Sequence, residues 1–236
     1  DRFVMTYKLN GLQDNVTSGI VNCTYMDSND RIWLCHGDSI VRYDTRADTT
    51  DRVNFPASDD ITAIMQTDST NFFIGTSNGL LQTIEKEGVL KIVAGTCTDS
   101  IRIPVSELYF HQDSKKLFIG TFKEGIIAYG MNTTSTIIAD GPLQNVAIKR
   151  ITPFGKRQLL VATGGRGVYK IDVDSLSARP YITADYSNYN GMNGNNINDI
   201  YVDGDGRIWM ANYPIGVTIR NDRYRSYKWL KHSPGN

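Results

Sequence analysis

Two aspartate-rich segments are candidates for a metal-binding site. Asp27-Ser28-Asn29-Asp30 and Asp203-Gly204-Asp205-Gly206 both resemble the start of a calcium-binding loop. Such a loop also needs a bidentate glutamate at its twelfth position, and neither segment has one. Both segments fall where a hairpin turn is required, and their residues tolerate the backbone of tight turns. The sequence therefore favours turns, and we predict no metal site.

A glycine-rich segment raises the question of phosphate binding. Gly164-Gly165-Arg166-Gly167 resembles a loop that cradles a phosphate group, but such a loop leads into the N-terminus of a helix. The chain continues instead with Val168-Tyr169-Lys170-Ile171, which is a β-prone run. We interpret the segment as a loop that joins two strands.

Residue patterns that indicate catalysis are weak in this chain. No serine lies in a nucleophile elbow, and no histidine recurs at a fixed distance from a nucleophile. The prominent carboxylates are explained by turns: Asp27, Asp68, Asp113 and Asp203. We predict no catalytic residues and no cofactor. A lyase or lactonase that collects catalytic groups from several repeats remains the alternative.

The three cysteines, Cys23, Cys35 and Cys97, form no metal-binding pattern. No two of them are close enough in sequence to suggest a metal site, and the three histidines belong to different repeats. Cys23 and Cys35 fall on the first two strands of one hairpin, where they could be neighbours. A buried free cysteine that acts as a small hydrophobic residue is the interpretation we favour.

Composition places the chain among ordinary globular proteins. Of its 236 residues 40% are hydrophobic and 21% are charged, and Lys+Arg and Asp+Glu each number 25. A balanced charge shows no footprint for nucleic acid or for an anionic membrane surface. No run approaches the roughly 18 apolar residues of a membrane span. Residue 1 begins within a strand pattern, so we expect any signal or membrane segment to lie outside this sequence or to have been removed.

One stretch of twenty-one residues is repeated along the chain. Ile197 to Val217 holds an apolar strand, the turn Asp203 to Gly206, a second strand and a glycine hinge at Gly216. The pattern occurs five times, about every 40 to 50 residues, which is typical of propeller blades with four strands each. The equivalent anchors on the second strand are Trp33, Phe73, Phe118, Leu160 and Trp209. We expect the tryptophans among them to pack between blades rather than to serve as stacking platforms for sugars.

These repeats predict an all-β fold, a β-propeller built of four-stranded antiparallel blades. Five repeats are present, and we expect them to be part of a larger propeller. The predicted blades lie roughly at 10–55, 56–97, 98–140, 141–184 and 185–236. Residues 1–9 resemble the last strand, Asp222 to Leu230, so they are expected to form the outer strand of a preceding blade. The outer strand of the first full blade is expected near Arg52 to Phe55.

The copies themselves resemble a known repeat. They read VNCTYMDSNDRIWLCHGDSIVRYD, ITAIMQTDSTNFFIGTSNGLLQT, VSELYFHQDSKKLFIGTFKEGIIAY, IKRITPFGKRQLLVATGGRGVYKID and INDIYVDGDGRIWMANYPIGVTI. This pattern resembles the two-component regulator propeller repeat of the periplasmic sensor regions of bacterial hybrid histidine kinases, particularly those of gut Bacteroidetes that sense glycans. The match covers nearly the whole chain. It departs at Cys35-His36 and Ala211-Asn212, where a Gly-Thr pair is lost, and at Pro153 to Gly155, where the turn aspartate is lost.

The resemblance implies a sensor segment that acts in signal transduction. It would lie in the periplasm, as the extracytoplasmic part of an inner-membrane receptor whose kinase lies elsewhere, so this segment is not expected to be an enzyme. An oligosaccharide ligand and a homodimer of the full-length receptor are the implied partners. This segment is expected to bind no nucleic acid and to contain no membrane span. A protein-interaction or dimerisation scaffold is the alternative function.

A ligand site is expected on the loops that join the second and third strands of each blade. These loops differ most among the copies, and they should emerge on the same face as the segments that lead into the first strands. Loops also vary where nothing constrains them, and that explanation stays open. The candidate ligand-binding residues are His36, Phe122, Lys123, Arg166 and Tyr213. Phe122 and Tyr213 would stack on a sugar ring, and the other three would bind its polar groups.

Overall fold

The computed structural model describes residues 21–56, 58–94, 100–130, 136–137, 141–185, 187, 191–221 and 226–230. These residues include twenty strands, β1 to β20. The chain divides into two compact units, Asp1–Ile101 and Arg102–Asn236. The predicted strand at residues 1–9 and Cys97 lie outside the described residues.

Unit 1 contains two four-stranded antiparallel sheets, each with its strands in chain order. The strands of the first sheet are β1 (Cys23–Met26), β2 (Arg31–His36), β3 (Ser39–Asp44) and β4 (Thr49–Val53). The strands of the second are β5 (Ile61–Gln66), β6 (Asn71–Thr76), β7 (Gly79–Lys86) and β8 (Val89–Ile92). The edge strands β1 and β5 contact each other.

Unit 2 contains three further sheets of the same kind. The first is formed by β9 (Val105–His111), β10 (Lys116–Thr121), β11 (Ile126–Gly130) and β12 (Thr136–Ile137). The second is formed by β13 (Ile148–Pro153), β14 (Gln158–Thr163), β15 (Val168–Asp172) and β16 (Ala178–Ile182). The third is formed by β17 (Ile197–Val202), β18 (Ile208–Asn212), β19 (Gly216–Asn221) and β20 (Ser226–Leu230). The edge strands β9, β13 and β17 contact one another in that order.

In three of the five sheets the second strand is the most buried element. Strands β6, β10 and β14 read NFFIGT, KLFIGT and QLLVAT, and five consecutive residues of each are buried. Both faces of such a strand are covered, so its apolar residues run continuously instead of alternating with polar ones. In unit 2, for example, Phe118 packs with Ile151 and Leu159 of the following sheet. Successive sheets of a unit therefore share apolar cores.

The predicted anchors occupy the same place on the second strand of all five sheets. The anchors pair with the first strand at the same place, as Trp33 with Tyr25, Phe73 with Met65, Phe118 with Tyr109, Leu160 with Thr152 and Trp209 with Tyr201. Trp33 is wholly buried, and its ring lies 4.8 Å, centroid to centroid, from the tilted ring of Phe72 in the next sheet. Trp33 therefore packs between sheets, as expected.

The described residues thus have the expected all-β fold, built of four-stranded antiparallel sheets. One outer strand differs from its expected position, since β4 spans Thr49–Val53 rather than Arg52 to Phe55. The turn before it is tight because Asp44 Oδ1 accepts hydrogen bonds from the backbone N–H groups of Arg46 and Ala47, both at 2.9 Å. Because this turn is short, β4 begins at Thr49 and not at the expected Arg52.

Candidate functional site

Threonines end the second strand of three sheets and shape the loop that follows. The hydroxyl of Thr121 donates a hydrogen bond to the carbonyl of Gly125 at 2.8 Å and accepts one from the N–H of Glu124 at 2.8 Å. Thr163 makes the same two bonds with Gly167 and Arg166, at 2.7 and 3.0 Å. Each threonine thus closes a short loop and holds the intervening residues at the edge of the sheet.

Two glycines bring these loops against neighbouring backbone. Gly125 has φ +90°, and a Cβ there would collide with the carbonyl oxygen of Leu143. Gly167 has φ +78°, and a Cβ there would collide with the carbonyl oxygen of Ile182. Both positions combine a left-handed backbone with a close approach, a combination that only glycine accommodates.

Backbone hydrogen bonds join the loops of unit 2 into one continuous edge. Phe122 N–H donates to Pro104 O at 3.2 Å and Gly164 N–H donates to Ala147 O at 2.9 Å. Gly167 N–H donates to Asn195 O at 2.8 Å, and Tyr213 N–H donates to Asn196 O at 3.1 Å. We call this surface the loop edge, defined by the segments 122–125, 141–147, 164–167, 194–196 and 213–215. The loops after second strands and the segments before first strands therefore do share one side of unit 2.

Four of the five candidate residues lie on this edge. Phe122 is 44% exposed and Tyr213 is 64% exposed, although both are large aromatic residues. Lys123 follows Phe122 in the same loop and is exposed. Arg166 is exposed in the next loop. The loop edge thus presents aromatic faces together with cationic groups.

Arg166 also has a structural task. Its Nη1 donates hydrogen bonds to the carbonyl oxygens of Pro142 and Gln144, at 2.8 and 2.9 Å. The segment that leads into β13 is therefore pinned to the loop between β14 and β15. One nitrogen of the guanidinium is committed to this contact, which limits how Arg166 can meet a ligand.

His36, the fifth candidate, lies in unit 1. It is the last residue of β2 and is half-buried, and the adjacent Gly37 carbonyl accepts a hydrogen bond from Ile61 N–H at 2.7 Å. A shallow depression of about 260 Å³ lies beside this loop, lined by Asp38, Ser39 and the segment Arg52 to Phe55. His36 as a ligand-binding residue stays a prediction.

A row of charged side chains crosses the first strands of unit 2. Arg150 on β13 lies 3.5 Å from Glu107 on β9, between Nη1 and Oε1. Arg150 also lies 3.5 Å from Asp199 on β17, between Nε and Oδ1. The three residues pair with Gly120, Ala162 and Ala211 of their second strands, near the end of each strand that leads to the loop edge. We call them the inner charge row.

Burial separates Glu107 from the other two members. Its side chain is 18% exposed, whereas those of Arg150 and Asp199 are 50% and 65% exposed. Burial raises the pKa of Glu107 to about 7; the nearby Arg150 opposes this rise and Asp199 adds to it. Glu107 therefore titrates near neutral pH, whereas an ordinary glutamate is ionised there.

The inner charge row was missed by sequence reasoning. Its signal is a charged third residue in the first strand of three successive copies, VSE, IKR and IND. An irregular register at this point of each of these sheets sets the direction of the side chain. Such a bulge lets charged groups from sheets more than 40 residues apart in sequence meet.

Three further findings concern a metal site, a phosphate-binding loop and a membrane span. No group of three or more His, Cys, Asp or Glu side chains is placed to hold a metal ion in the described part of the chain. The glycine-rich segment 164–167 joins β14 to the strand β15, as expected. Within the same described residues, no helix has the length and apolar character needed to cross a membrane.

Comparison with known proteins identifies the repeat. Residues 191–213 match the family profile described as two component regulator propeller. No curated protein matches the chain in sequence. The fold resembles the extracellular domain of the putative hybrid two component system BT3049 from B. thetaiotaomicron, with a TM-score of 0.70 and 14% identity over 95% of this chain and 30% of that one.

A second solved structure gives the same result. It is the extracellular domain of the putative hybrid two component system BT4673 from B. thetaiotaomicron, with a TM-score of 0.65 and 21% identity over 83% of this chain and 26% of that one. This chain thus spans less than a third of either structure. These likenesses are to a regulator propeller and to extracellular domains, not to enzymes. The chain carries a two-component regulator propeller repeat at residues 191–213, within the β-propeller fold that such extracellular domains share.

Proposed function

We propose that this chain is a ligand-sensing segment of a hybrid two-component sensor, placed in the periplasm and responding to an oligosaccharide. The observation that carries the proposal is the loop edge of unit 2, where exposed aromatic residues and charged groups share one continuous surface. The regulator propeller repeat and the extracellular domains of similar fold support the sensor role and the extracytoplasmic location.

The aromatic residues supply the apolar part of such a site. Phe122 and Tyr213 expose much of their rings, although burial would remove apolar surface from water. A sugar ring offers a face of C–H groups that packs against an aromatic face, and the Tyr213 hydroxyl adds a polar handle. These two side chains therefore fit a carbohydrate better than a small ion.

The inner charge row and Lys123 supply the polar part. Carboxylates such as Asp199 accept hydrogen bonds from hydroxyl groups, and the guanidinium of Arg150 donates them. Lys123 adds a cation at the outer rim, which favours a uronic or sulfated sugar over a neutral one. We infer that an oligosaccharide lies along the loop edge and reaches the inner charge row with its polar groups.

Calorimetry on the extracytoplasmic region of the full-length protein tests the proposal. The probes are neutral, uronic and sulfated oligosaccharides, and the variants are Phe122→Ala, Tyr213→Ala and Lys123→Ala. We expect each aromatic variant to bind about tenfold more weakly, a loss of about 1.4 kcal/mol. Lys123→Ala should weaken binding of the charged sugars only. Tyr201→Ala is the matched control, because Tyr201 is 63% exposed but lies on β17 opposite Trp209, away from the loop edge.

Equal affinity of the wild-type protein and all three variants for a bound sugar would exclude the loop edge as the site. Absence of binding by the wild-type protein to the whole panel would favour the alternative function, a protein-interaction scaffold. We propose that the full-length receptor is a homodimer. Sedimentation of the extracytoplasmic region, as wild type and as the same variants, measures self-association and so separates the two functions. A scaffold would lose self-association on mutation of the edge, whereas a sugar site would not.

A further inference from the structure

Cys23 and Cys35 lie directly opposite each other on neighbouring strands. They are paired residues in the antiparallel register of β1 and β2, and both are free thiols. The carbonyl of Cys35 also accepts a hydrogen bond at 2.8 Å from the N–H of Asn22, so the two strands are still hydrogen-bonded to each other beside this pair. Opposed residues of an antiparallel pair place their side chains on the same face of the sheet.

The strand geometry suits a covalent link between the two residues. Opposed residues in antiparallel strands have Cα atoms about 4.5 or 5.5 Å apart, depending on the hydrogen-bonding pattern. A disulfide requires a Cα separation of roughly 4.4 to 6.8 Å, so either pattern lies within that range. A hydrogen bond with Cys23, together with burial, raises the pKa of the Cys35 thiol.

The repeat itself does not require a cysteine at either position. The residues that pair at this place in the other four sheets are Ala63 with Gly75, Glu107 with Gly120, Arg150 with Ala162 and Asp199 with Ala211. The second-strand partner is therefore glycine or alanine elsewhere, and Cys35 is the exception. A larger side chain in a wholly buried position, directly opposite a second thiol, indicates a paired role for the two sulfur atoms.

We propose that Cys23 and Cys35 are a dithiol site that a disulfide oxidant converts to a cross-strand disulfide. Cys23 is half-buried and Cys35 is wholly buried, so the Cys23 thiolate attacks the oxidant first. This step forms a mixed disulfide and releases one thiol of the oxidant. Cys35 then loses its proton and attacks Cys23 Sγ, which releases the second thiol. Two protein thiols and one external disulfide thus become one protein disulfide and two external thiols.

The bond would lock the first edge strand of the described structure in place. Asn22, the residue before β1, links this strand to β5, because its Nδ2 donates a hydrogen bond to Ile61 O at 3.1 Å. A covalent link between β1 and β2 would hold β1 in its sheet and thereby preserve the hydrogen bond between Asn22 and Ile61. The proposal does not depend on the proposed function, although an extracytoplasmic location would supply the oxidising conditions in which disulfides persist.

Peptide mapping of the purified protein tests the proposal. The folded protein is incubated with oxidised glutathione or with a reducing agent, alkylated under denaturing conditions and digested with trypsin. Trypsin cleaves after Lys8, Arg31 and Arg42, so the bond would join peptide 9–31 to peptide 32–42. We expect this linked peptide after oxidation only, and a fall from three free thiols to one. The Cys97→Ser variant should give the same linked peptide and no free thiol.

A thermal melt provides the second measurement. Oxidised wild-type protein should melt on the order of 5 °C above the reduced protein, because the link constrains the unfolded chain. Cys23→Ser should melt at the same temperature with either treatment, and it retains the buried Cys35. A linked peptide that contains Cys97 in place of Cys35, or three free thiols in protein that has been oxidised while folded, would overturn the proposal.

Discussion

The carboxylate of Asp27 accepts a hydrogen bond at 2.8 Å from the indole Nε1–H of Trp33, and both side chains are buried. The same oxygen accepts a hydrogen bond from Arg31 Nε at 2.6 Å, and Oδ1 accepts the backbone N–H groups of Asn29 and Arg31. Unit 2 repeats the arrangement with Asp203 and Trp209, at 2.9 Å. The turn aspartate therefore also fixes the tryptophan that anchors the second strand.

Replacement of Asp27 by asparagine should destabilise unit 1 by about 2–4 kcal/mol, because it removes the buried carboxylate that binds both Trp33 and Arg31. Burial acts to raise the pKa of Asp27, but hydrogen bonds from Trp33, Arg31 and Asn29 outweigh it and lower the pKa. The stabilisation is therefore present at neutral pH and is lost as the pH falls below about 3.8. Denaturant unfolding of wild type and variant at pH 7 and pH 3 measures both effects.

The matched control for that variant is Asp203→Asn. Hydrogen bonds from Trp209 and then Arg207 lower the pKa of Asp203 to about 2, yet this site is more exposed than that of Asp27. Its loss should therefore cost less stability. A larger loss for Asp203→Asn than for Asp27→Asn would contradict the role we assign to burial.

Glu107 should make the stability of unit 2 fall as the pH rises from about 4.5 to about 7. Its pKa in the folded protein is raised to about 7 from 4.5, so the folded state binds more protons than the unfolded state across this window. The favourable contribution is present below pH 4.5 and is lost as the pH rises through 7. Glu107→Gln should remove about 1–3 kcal/mol of this pH dependence.

Chemical denaturation at closely spaced pH values from 4 to 8 measures the effect of Glu107. Asp199→Asn serves as the comparison, because removal of that carboxylate lowers the pKa of Glu107 and narrows the window. Parallel pH profiles for the wild-type protein and Glu107→Gln would show that Glu107 titrates in its ordinary range.

Gly125→Ala should destabilise unit 2 by roughly 2–5 kcal/mol, because it adds backbone strain and a collision with Leu143 O. Gly155→Ala is the control, because Gly155 has φ +73° with no heavy atom within 4 Å of the added Cβ. That variant should lose only about 1 kcal/mol, from strain alone. Thermal melts of both variants separate the two contributions, and equal losses would show that the close approach carries no cost.

Glu85→Gln should destabilise unit 1 by about 2–4 kcal/mol. Its carboxylate accepts hydrogen bonds from Arg31, at 2.9 and 3.1 Å, and from Arg42, and both guanidiniums lie about 5.5 Å from the Trp33 ring. Arg31 and Arg42 of the first sheet thus share one carboxylate of the second. Arg46→Ala removes the exposed Arg46–Asp30 ion pair of the same unit and should leave stability unchanged within error. Denaturant midpoints at low and high salt measure both variants, and a similar loss for the two would refute a special role for the buried cluster.

The five repeats and the anchor of each second strand could be predicted from the sequence because both depend on local patterns. Turn residues such as Asp203, apolar runs such as Leu159 to Ala162 and hinges such as Gly125 carry their conformational preferences wherever they stand. The loops that form the candidate site were located for the same reason. Their positions follow from strands that are defined locally.

Contacts between sheets were decided only by the tertiary structure. Glu85 meets Arg31 across 54 positions of the chain, and Arg150 lies between Glu107 and Asp199, although each is an ordinary charged residue in its own strand. Such partners are chosen by the packing of one sheet against the next and by the bulges that aim the side chains, and neither leaves a signal in a single strand. The sequence alone therefore determined the repeats, whereas the burial that encloses Trp33 and raises the pKa of Glu107 arose only when the sheets stacked.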